Sequence, residues 1–273
     1  MNNRPPSDLF APMLRSDALV GPVLLVARLM MTGIFLYYTL NVFTKLPDPG
    51  LLVWALVAAQ LVGVVLIVLG YETRLGALLL AACILASLLY RGHFGFDNFV
   101  ETIGQKDLAI AGGFLFMFAF GPGPLSWDHA RGGSRIFASA ASNPSVIGPL
   151  LILGRLMSIV VFCFFGVSKI LHTARIQSFM VKHNPHVPTS LVYPAIVVQI
   201  VPSLMVLLGF KTRYAALLLA GFCIVAPALF WSDFRNPSQL EQFLLDFATA
   251  PGLLFMFANG PGPLSLDARS SGR

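Results

Sequence analysis

Charged side chains that lie inside apolar segments are the residues of this chain best suited to chemistry. Arg28 and Arg155 each lie about seven residues inside a long apolar segment. A charge at that depth is costly unless it pairs with another group or extends to the membrane surface, and seven helical residues span only about 10 Å. Each arginine can therefore serve as a lipid anchor or as part of a binding site.

Lys169 follows Arg155 by 14 residues in the same predicted helix. This spacing is close to four helical turns, so the two bases share a face but lie about 21 Å apart. They cannot bind one small anion together. We expect Arg155 beside the turn near Thr212, and Lys169 near Asp246 at the other side of the membrane.

Amides and carboxylates recur at matching places in the two halves of the chain. Gln60 and Gln199 lie in second helices, where an amide can form hydrogen bonds but cannot titrate near neutral pH. Asp107 and Asp246 lie near the beginnings of fourth helices, where the helix dipole favours an acid. The two aspartates can also pair with Lys45, Lys169 or the arginine of their own half.

One stretch of twelve residues occurs twice in similar form, as "GYETRLGALLLA" from Gly70 and "GFKTRYAALLLA" from Gly209. Each copy opens a predicted helix with a threonine and an arginine: Thr73 with Arg74, and Thr212 with Arg213. One interpretation is a helix cap whose arginine binds lipid phosphate. The other is a site for an anion, a lipid headgroup or a cytoplasmic partner.

Three histidines, His172, His183 and His186, lie in or beside the insert "HTARIQSFMVKHNPHVPTS". Imidazoles can bind copper or zinc, but no cysteine or acid accompanies them, so the stretch "KHNPHVP" is expected to be a solvated loop and the three histidines are weak metal candidates. The cysteines, at positions 83, 163 and 223, lie in apolar runs without a CxxC pair, which disfavours a thiol oxidase. Neither a paired-histidine haem pattern nor a phosphate-binding glycine loop is evident, so we expect no intrinsic cofactor.

The composition is that of an integral membrane protein. Of the 273 residues, 56% are hydrophobic and 11% are charged, and the mean hydropathy is +0.78, whereas soluble domains carry about 25% charged residues. The net charge of +6 is spread without a long basic cluster. It therefore suits lipid headgroups and does not indicate nucleic acid. The first twenty residues are polar and interrupted by prolines, so no cleavable signal peptide is expected.

Eight apolar segments are long enough to be considered as membrane spans. They run roughly over Gly21–Phe43, Leu51–Gly70, Leu75–Tyr90, Lys106–Phe120, Gly148–Leu171, Leu191–Gly209, Tyr214–Trp231 and Leu245–Ala258. The fourth and eighth are short, so their polar upstream flanks are expected to continue the helix. We divide the chain into an N-terminal segment (1–20), a first unit (21–128), a linker (129–147), a second unit (148–267) and a tail (268–273).

The two units are predicted to be a duplication. "GPGPLSWD" at Gly121 recurs as "GPGPLSLD" at Gly260, 139 residues later, whereas "ARLM" at Ala27 recurs as "GRLM" after 127. The second unit has therefore gained about twelve residues after its first helix. An even number of helices per unit predicts a parallel repeat. The predicted fold is thus all-α, with eight transmembrane helices arranged as two parallel-repeat four-helix bundles. Nine Lys and Arg residues fall on the side of the termini and seven on the other, which favours cytoplasmic termini.

The order of these motifs resembles the DoxX family of small four-helix membrane proteins. The shared features are R-L-M with Phe, Gly and Lys in a first helix, G-x-x-T-R opening the third, and a closing GPGPLS-[WL]-D. The resemblance covers roughly residues 22–128 and 149–267. Arg155 and Lys169 keep the family's spacing, whereas Val42 takes the lysine position in the first unit. The second-helix position that is often Glu in the family is Gln60 or Gln199 here, so a proton relay through that position is not expected.

The resemblance implies a multi-pass protein of the bacterial inner (cytoplasmic) membrane that is tied to redox chemistry, because relatives include a subunit of thiosulfate:quinone oxidoreductase. We expect a subunit without its own covalent cofactor that binds a quinone or docks another membrane or cytoplasmic redox protein. If it takes part in catalysis, it does so within a membrane oxidoreductase. "FLYY" at Phe35 and "FCFF" at Phe162 suit a flat lipophilic ring. A transporter, a lipid-handling protein and a scaffold for another membrane enzyme are the alternatives.

Overall fold

Helices make up most of the chain in the structure, a computed structural model that describes residues 17–45, 48, 50–90 and 102–270. The long helices are α1 (Asp17–Lys45), α2 (Leu51–Leu69), α3 (Thr73–Tyr90), α4 (Thr102–Phe120), α5 (Pro144–Leu171), α6 (Val192–Leu208), α7 (Thr212–Phe230) and α8 (Pro237–Asn259). Each predicted span overlaps one of them. The described residues contain no β-strand, so the all-α class is confirmed.

Six of these segments, within the described residues, are long and apolar enough to cross a membrane: Ala18–Thr44, Leu51–Leu69, Pro144–Leu171, Thr189–Leu208, Thr212–Phe230 and Pro237–Asn259. The predicted count of eight is therefore not confirmed. In α3 the apolar stretch Thr73–Leu89 is shorter. In α4 the first turns carry Gln105, Lys106 and Asp107. As expected, α4 and α8 begin before their predicted apolar segments, at Thr102 and Pro237.

Short helices occupy the connections. Trp127–Ala130 and Leu266–Ser270 follow the two GPGPLS motifs. Ala138–Ser142 lies in the linker, and Thr173–His183 with the 3-10 turn Thr189–Leu191 lies in the insert of the second unit. The predicted linker and insert are therefore partly helical.

Helix ends follow from local sequence. Gly70 and Gly209 end α2 and α6 in the left-handed conformation, both with φ of 67°, which glycine adopts without a Cβ penalty. The sequence Asn-Pro-Ser begins both α5 and α8. The side chains of Asn143 and Asn236 accept a hydrogen bond from the amide two residues later, at 3.0 Å in each case, while proline occupies the first helical position.

The two halves of the chain share one core. Each long helix packs against its neighbours in sequence within its own half, and in addition α1 packs against α8, α5 against α4, and α4 against α8. The first helix of each half thus lies along the fourth helix of the other half. Met31, Phe114, Leu151 and Phe255 belong to the same buried cluster. Two self-contained four-helix bundles are therefore not confirmed, because the fourth helices join both halves.

Glycines allow this close approach. A Cβ atom on Gly252 of α8 would lie 2.7 Å from the Cα of Gly113 in α4, and one on Gly112 would lie 2.8 Å from the carbonyl oxygen of Gly154 in α5. Small residues are the usual means by which membrane helices approach closely enough for extensive van der Waals contact. The junction between the halves therefore depends on these glycines.

Replacing Gly252 by alanine tests this dependence. We expect Gly252→Ala to lower the free energy of unfolding by about 1–3 kcal/mol, as overpacking does, because the new methyl group meets backbone. Gly221→Ala in α7 is the matched control, since a Cβ there meets nothing within 4 Å, and alanine favours a helix by about 1 kcal/mol over glycine. Thermal unfolding in detergent measures both. Equal midpoints for the two variants would contradict the close contact.

Candidate functional site

The repeated motifs of the first half meet at Asp128. The carboxylate of Asp128, which is only 1% exposed, accepts hydrogen bonds from the backbone N–H groups of Glu72 and Thr73 and from the Thr73 hydroxyl, each at 2.9 Å. The Asp128 N–H donates to the carbonyl oxygen of Gly70 at 2.8 Å. Asp128 therefore caps the beginning of α3 from a distant part of the chain. We call this arrangement the Asp128 junction.

The second half contains an equivalent Asp267 junction. The carboxylate of Asp267 accepts from the N–H groups of Lys211 at 2.7 Å and Thr212 at 2.9 Å, and its own N–H donates to the carbonyl oxygen of Gly209 at 2.8 Å. Glu72 and Lys211, the residues before Thr73 and Thr212, both have φ of 43°. Such a conformation is uncommon for residues other than glycine. In each junction the carboxylate thus binds the backbone N–H of a residue whose backbone is strained.

The two buried arginines bind these same turns. Arg28 donates from Nη2 to the carbonyl oxygen of Leu125, and Arg155 donates from Nη2 to that of Leu264 at 2.5 Å. A Cβ on Gly209 would lie 2.6 Å from Nη1 of Arg155. The structure therefore places Arg155 at the turn before Thr212, as expected from the sequence.

The paired arginines at the helix starts also have protein partners. Nε of Arg74 donates to the carbonyl oxygen of Phe118 at the end of α4, at 3.1 Å, and Arg213 lies beside Gly260, at the end of α8. The Thr-Arg pairs thus connect the third helix of each half to its fourth. An anion or headgroup site at these pairs stays a prediction.

Glu72 holds the linker against the first half. Its carboxylate accepts from the Ser134 hydroxyl at 2.7 Å and from the N–H groups of Arg135 at 3.1 Å and Ile136 at 2.9 Å. Arg131 lies 3.3 Å away and also contacts Asp128 at 3.0 Å. Sequence reasoning missed this role, because Lys211 replaces Glu72 in the second copy. The repetition of Asp128 as Asp267 was the signal that could have identified the junctions.

A second set of polar side chains lies between the halves, in the parts of α4 and α8 that precede their apolar segments. Lys106, which is 4% exposed, forms an ion pair of 2.6 Å with Asp246 and donates to Gln242 at 2.9 Å. Lys169 donates to the side-chain oxygen of Gln199 at 2.8 Å and interacts electrostatically with Asp246. The structure thus brings Lys169, Gln199 and Asp246 together and adds Lys106.

A cavity of about 390 Å³ lies in the first half, among α1, α2, α3 and α4, with Glu241 of α8 at its wall. Its lining is mainly apolar and aromatic, and the polar groups include Tyr38, Gln60 and Asp107. Gln60 donates from Nε2 to the carbonyl oxygen of Phe35 at 2.6 Å and to the Thr39 hydroxyl at 2.7 Å. An apolar cleft of this size with a few converging polar groups is typical of a small-molecule site.

The stretch "KHNPHVP" is mostly an exposed or partly exposed turn, as expected, but the residues of the insert before it are helical. Residues Thr173–His183 form a helix, and the ring of His183 stacks on Phe179 at 4.0 Å and contacts Trp231, at the end of α7, at 5.1 Å between centroids. His172 ends α5, and His186 is exposed. The structure gathers no group of three or more potential metal ligands in the residues that it describes.

The linker should respond to pH through Glu72. Burial alone raises the pKa of Glu72, but hydrogen bonds from Ser134, Ile136 and Arg135 and the charge of Arg131 outweigh it and hold the pKa below its ordinary value of 4.5. A folded-state pKa below the unfolded one contributes stability that is complete above the ordinary pKa and is lost as the pH falls through the folded pKa.

We therefore expect the amides of Arg135 and Ile136 to be protected from hydrogen exchange at pH 7 and to lose protection as the pH falls below 4.5, after correction for intrinsic rates. Glu72→Gln should remove most of this pH dependence, because its side chain does not titrate. An equal loss of protection in Glu72→Gln and in the unaltered protein would show that Glu72 does not hold the linker.

Comparison with known proteins agrees with this membrane architecture. Residues 150–232 match the model of the DoxX family. Inner membrane protein YqjF of Escherichia coli (strain K12) is 29% identical over 117 residues, which cover 43% of this chain and 88% of that relative. Inner membrane protein YphA of the same organism is 25% identical over 141 residues, 50% of this chain and 97% of the relative.

A third relative, ER-derived vesicles protein ERV29 of Saccharomyces cerevisiae (strain ATCC 204508 / S288c), is 23% identical over 222 residues, 77% of this chain and 60% of the relative. No solved structure matches the chain. Nearly the whole of each bacterial relative thus corresponds to about half of this chain. The DoxX resemblance is confirmed by the family model over residues 150–232, and the chain is similar to proteins of the bacterial inner membrane.

Proposed function

We propose that this protein is a redox-associated subunit of the bacterial inner membrane that binds a quinone in the cavity of its first half. The observation that carries the proposal is the cavity of about 390 Å³ among α1, α2, α3 and α4. Its volume falls within the range of about 300–1,000 Å³ that is typical of small-molecule sites. Phe35 and Tyr38 provide aromatic surface for a flat ring, while Gln60 and Asp107 provide polar groups.

The proposal includes a duplicated architecture in which α3 and α4 also cross the membrane. Support for the duplication comes from the equal local structures of the Asp128 and Asp267 junctions, and from bacterial relatives that correspond to half of the chain. Because the fourth helices pack against each other, α4 can lie in the membrane with its polar first turns covered by α8. In this scheme Lys106 is neutralised by Asp246, as charges within a membrane require.

In the proposed role a quinone bound in the cavity stands in place of a covalent cofactor. A quinone is a lipophilic ring that reaches the protein through the bilayer, and an apolar cavity inside a membrane protein is a suitable place for it. The junctions lie elsewhere in the chain, and the hydrogen bonds described for them join parts of the protein. We therefore assign the repeated motifs to the scaffold, and the cavity to the ligand.

Filling the cavity tests the proposal. The protein is purified in lipid nanodiscs from the native membrane, and the bound lipids and quinones are extracted and identified by mass spectrometry. We expect at least tenfold less quinone with Val53→Trp, because Val53 lines the cavity and an indole occupies much of the space. Val62→Trp is the control and should retain quinone, because Val62 lies on the same helix but is 53% exposed.

Two results would contradict the proposal. One is the absence of quinone from the unaltered protein together with no binding of an added naphthoquinone. The other is equal quinone content in both variants, which would place the quinone outside the cavity. Recovery of a phospholipid in place of quinone, displaced by Val53→Trp, would favour the lipid-handling alternative.

A further inference from the structure

The orientation of the Gln60 amide is fixed by its partners. A backbone carbonyl can only accept hydrogen bonds, so the contact of 2.6 Å with the carbonyl oxygen of Phe35 identifies the amide nitrogen of Gln60. The second hydrogen of that nitrogen goes to the Thr39 hydroxyl at 2.7 Å. The side-chain oxygen of Gln60 is left without a hydrogen-bond partner among the residues that the structure describes.

The second half shows what this oxygen accepts when a donor is present. Gln199 is the counterpart of Gln60, and its side-chain oxygen accepts from the ammonium group of Lys169 at 2.8 Å. The position equivalent to Lys169 in the first half is Val42, which lines the cavity. The first half therefore has the acceptor and lacks the donor, and the space of a lysine side chain is part of the cavity.

The rest of the lining is also rich in acceptors. Asp107 and Glu241 contribute carboxylates, and the carboxylate of Glu241 forms no hydrogen bond or ion pair with any described residue. The Ser87 hydroxyl already donates to the carbonyl oxygen of Ile84 at 2.8 Å. Asn41 and Tyr38 bring mixed donors and acceptors. No lysine, arginine or histidine is among the described residues that line the cavity.

We infer that the cavity selects a ligand that donates hydrogen bonds, and thus binds the reduced quinol in preference to the quinone. This inference rests on the proposed function and names the redox form of its ligand. A quinol carries two hydroxyl donors, of which one takes the place that the Lys169 ammonium has in the second half. A quinone carries only carbonyl acceptors, so it can accept from Tyr38 or Asn41 but cannot supply a donor to the oxygen of Gln60.

Binding of matched probes to the unaltered protein in nanodiscs tests the preference. The probes are decylubiquinol, kept reduced under anaerobic conditions, decylubiquinone, and the dimethyl ether of the quinol, which has no donor. We expect the quinol to bind about tenfold more tightly than the other two, the effect of one well-formed hydrogen bond.

A substitution at Val42 provides a second measurement. Val42→Lys introduces the donor that Lys169 supplies in the second half, so it should reduce quinol affinity at least tenfold. Val42→Met, a side chain of similar length without a donor, should lose much less. Thermal unfolding of both variants shows whether they fold, and the probe comparison on the unaltered protein does not depend on them.

The outcomes separate the inference from the proposed function. If neither quinol nor quinone binds, the proposed function itself fails. If the quinone or the dimethyl ether binds as tightly as the quinol, the cavity still takes the ring but the donor preference is wrong. If dodecylammonium displaces the quinol with equal affinity, the cavity is a site for cations and the inference is overturned. Equal quinol affinity in folded Val42→Lys and unaltered protein would also overturn it.

Discussion

Two carboxylates, the buried Asp128 and the half-buried Asp267, determine how each half of the chain closes. Each one binds the first amides of a helix that begins some 55 residues earlier in the sequence, at Thr73 or Thr212. A helix beginning inside an apolar protein has N–H groups without partners, and leaving such groups unsatisfied costs about 1–3 kcal/mol each. The carboxylate satisfies them, so the end of the fourth helix is fixed next to the beginning of the third.

The other features of the junctions follow from this constraint. Gly70 and Gly209 turn the chain in the left-handed conformation and leave room for the guanidinium groups of the first helices. Arg28 and Arg155 then bind the carbonyl oxygens of the GPGPL segments. The first, third and fourth helices of each half thus meet at one point. The fourth helices in turn contact each other through Gly113 and Gly252, which makes one core out of two halves.

The residues that differ between the two halves are the best candidates for function, because the shared residues are accounted for by stability. Both halves contain the junctions. Lys169 donates to Gln199 in the second half, whereas Val42, at the position equivalent to Lys169, lines a cavity beside Gln60 in the first. The repeated residues can therefore stabilise both halves while the proposed site lies in one of them. Glu72 is a further difference, because it attaches the linker to the first half only.

The sequence was sufficient for the helical class, the membrane setting and the positions of the long helices, because apolar length and Gly-Pro punctuation are local signals. It also placed Arg155 at the turn before Thr212 and Lys169 near Asp246. It could not show that α1 packs on α8, since helix pairing depends on side-chain fit across the whole molecule. The cavity could not be predicted from the sequence either. Val42 is shorter than Lys169, its equivalent in the second half, and this difference leaves a space only when the surrounding helices enclose it. The insert helix was missed because its contact with Trp231 is tertiary.

The most direct test of the central claim is the unfolding of Asp128→Asn beside Asp48→Asn in the same detergent. Asp128→Asn preserves the shape of the side chain but turns an amide group toward the N–H donors of Glu72 and Thr73, whereas Asp48 is exposed. The account predicts that Asp128→Asn lowers the free energy of unfolding by about 1–3 kcal/mol and that Asp48→Asn leaves it unchanged. Equal stability of the two variants would contradict the role of the Asp128 carboxylate.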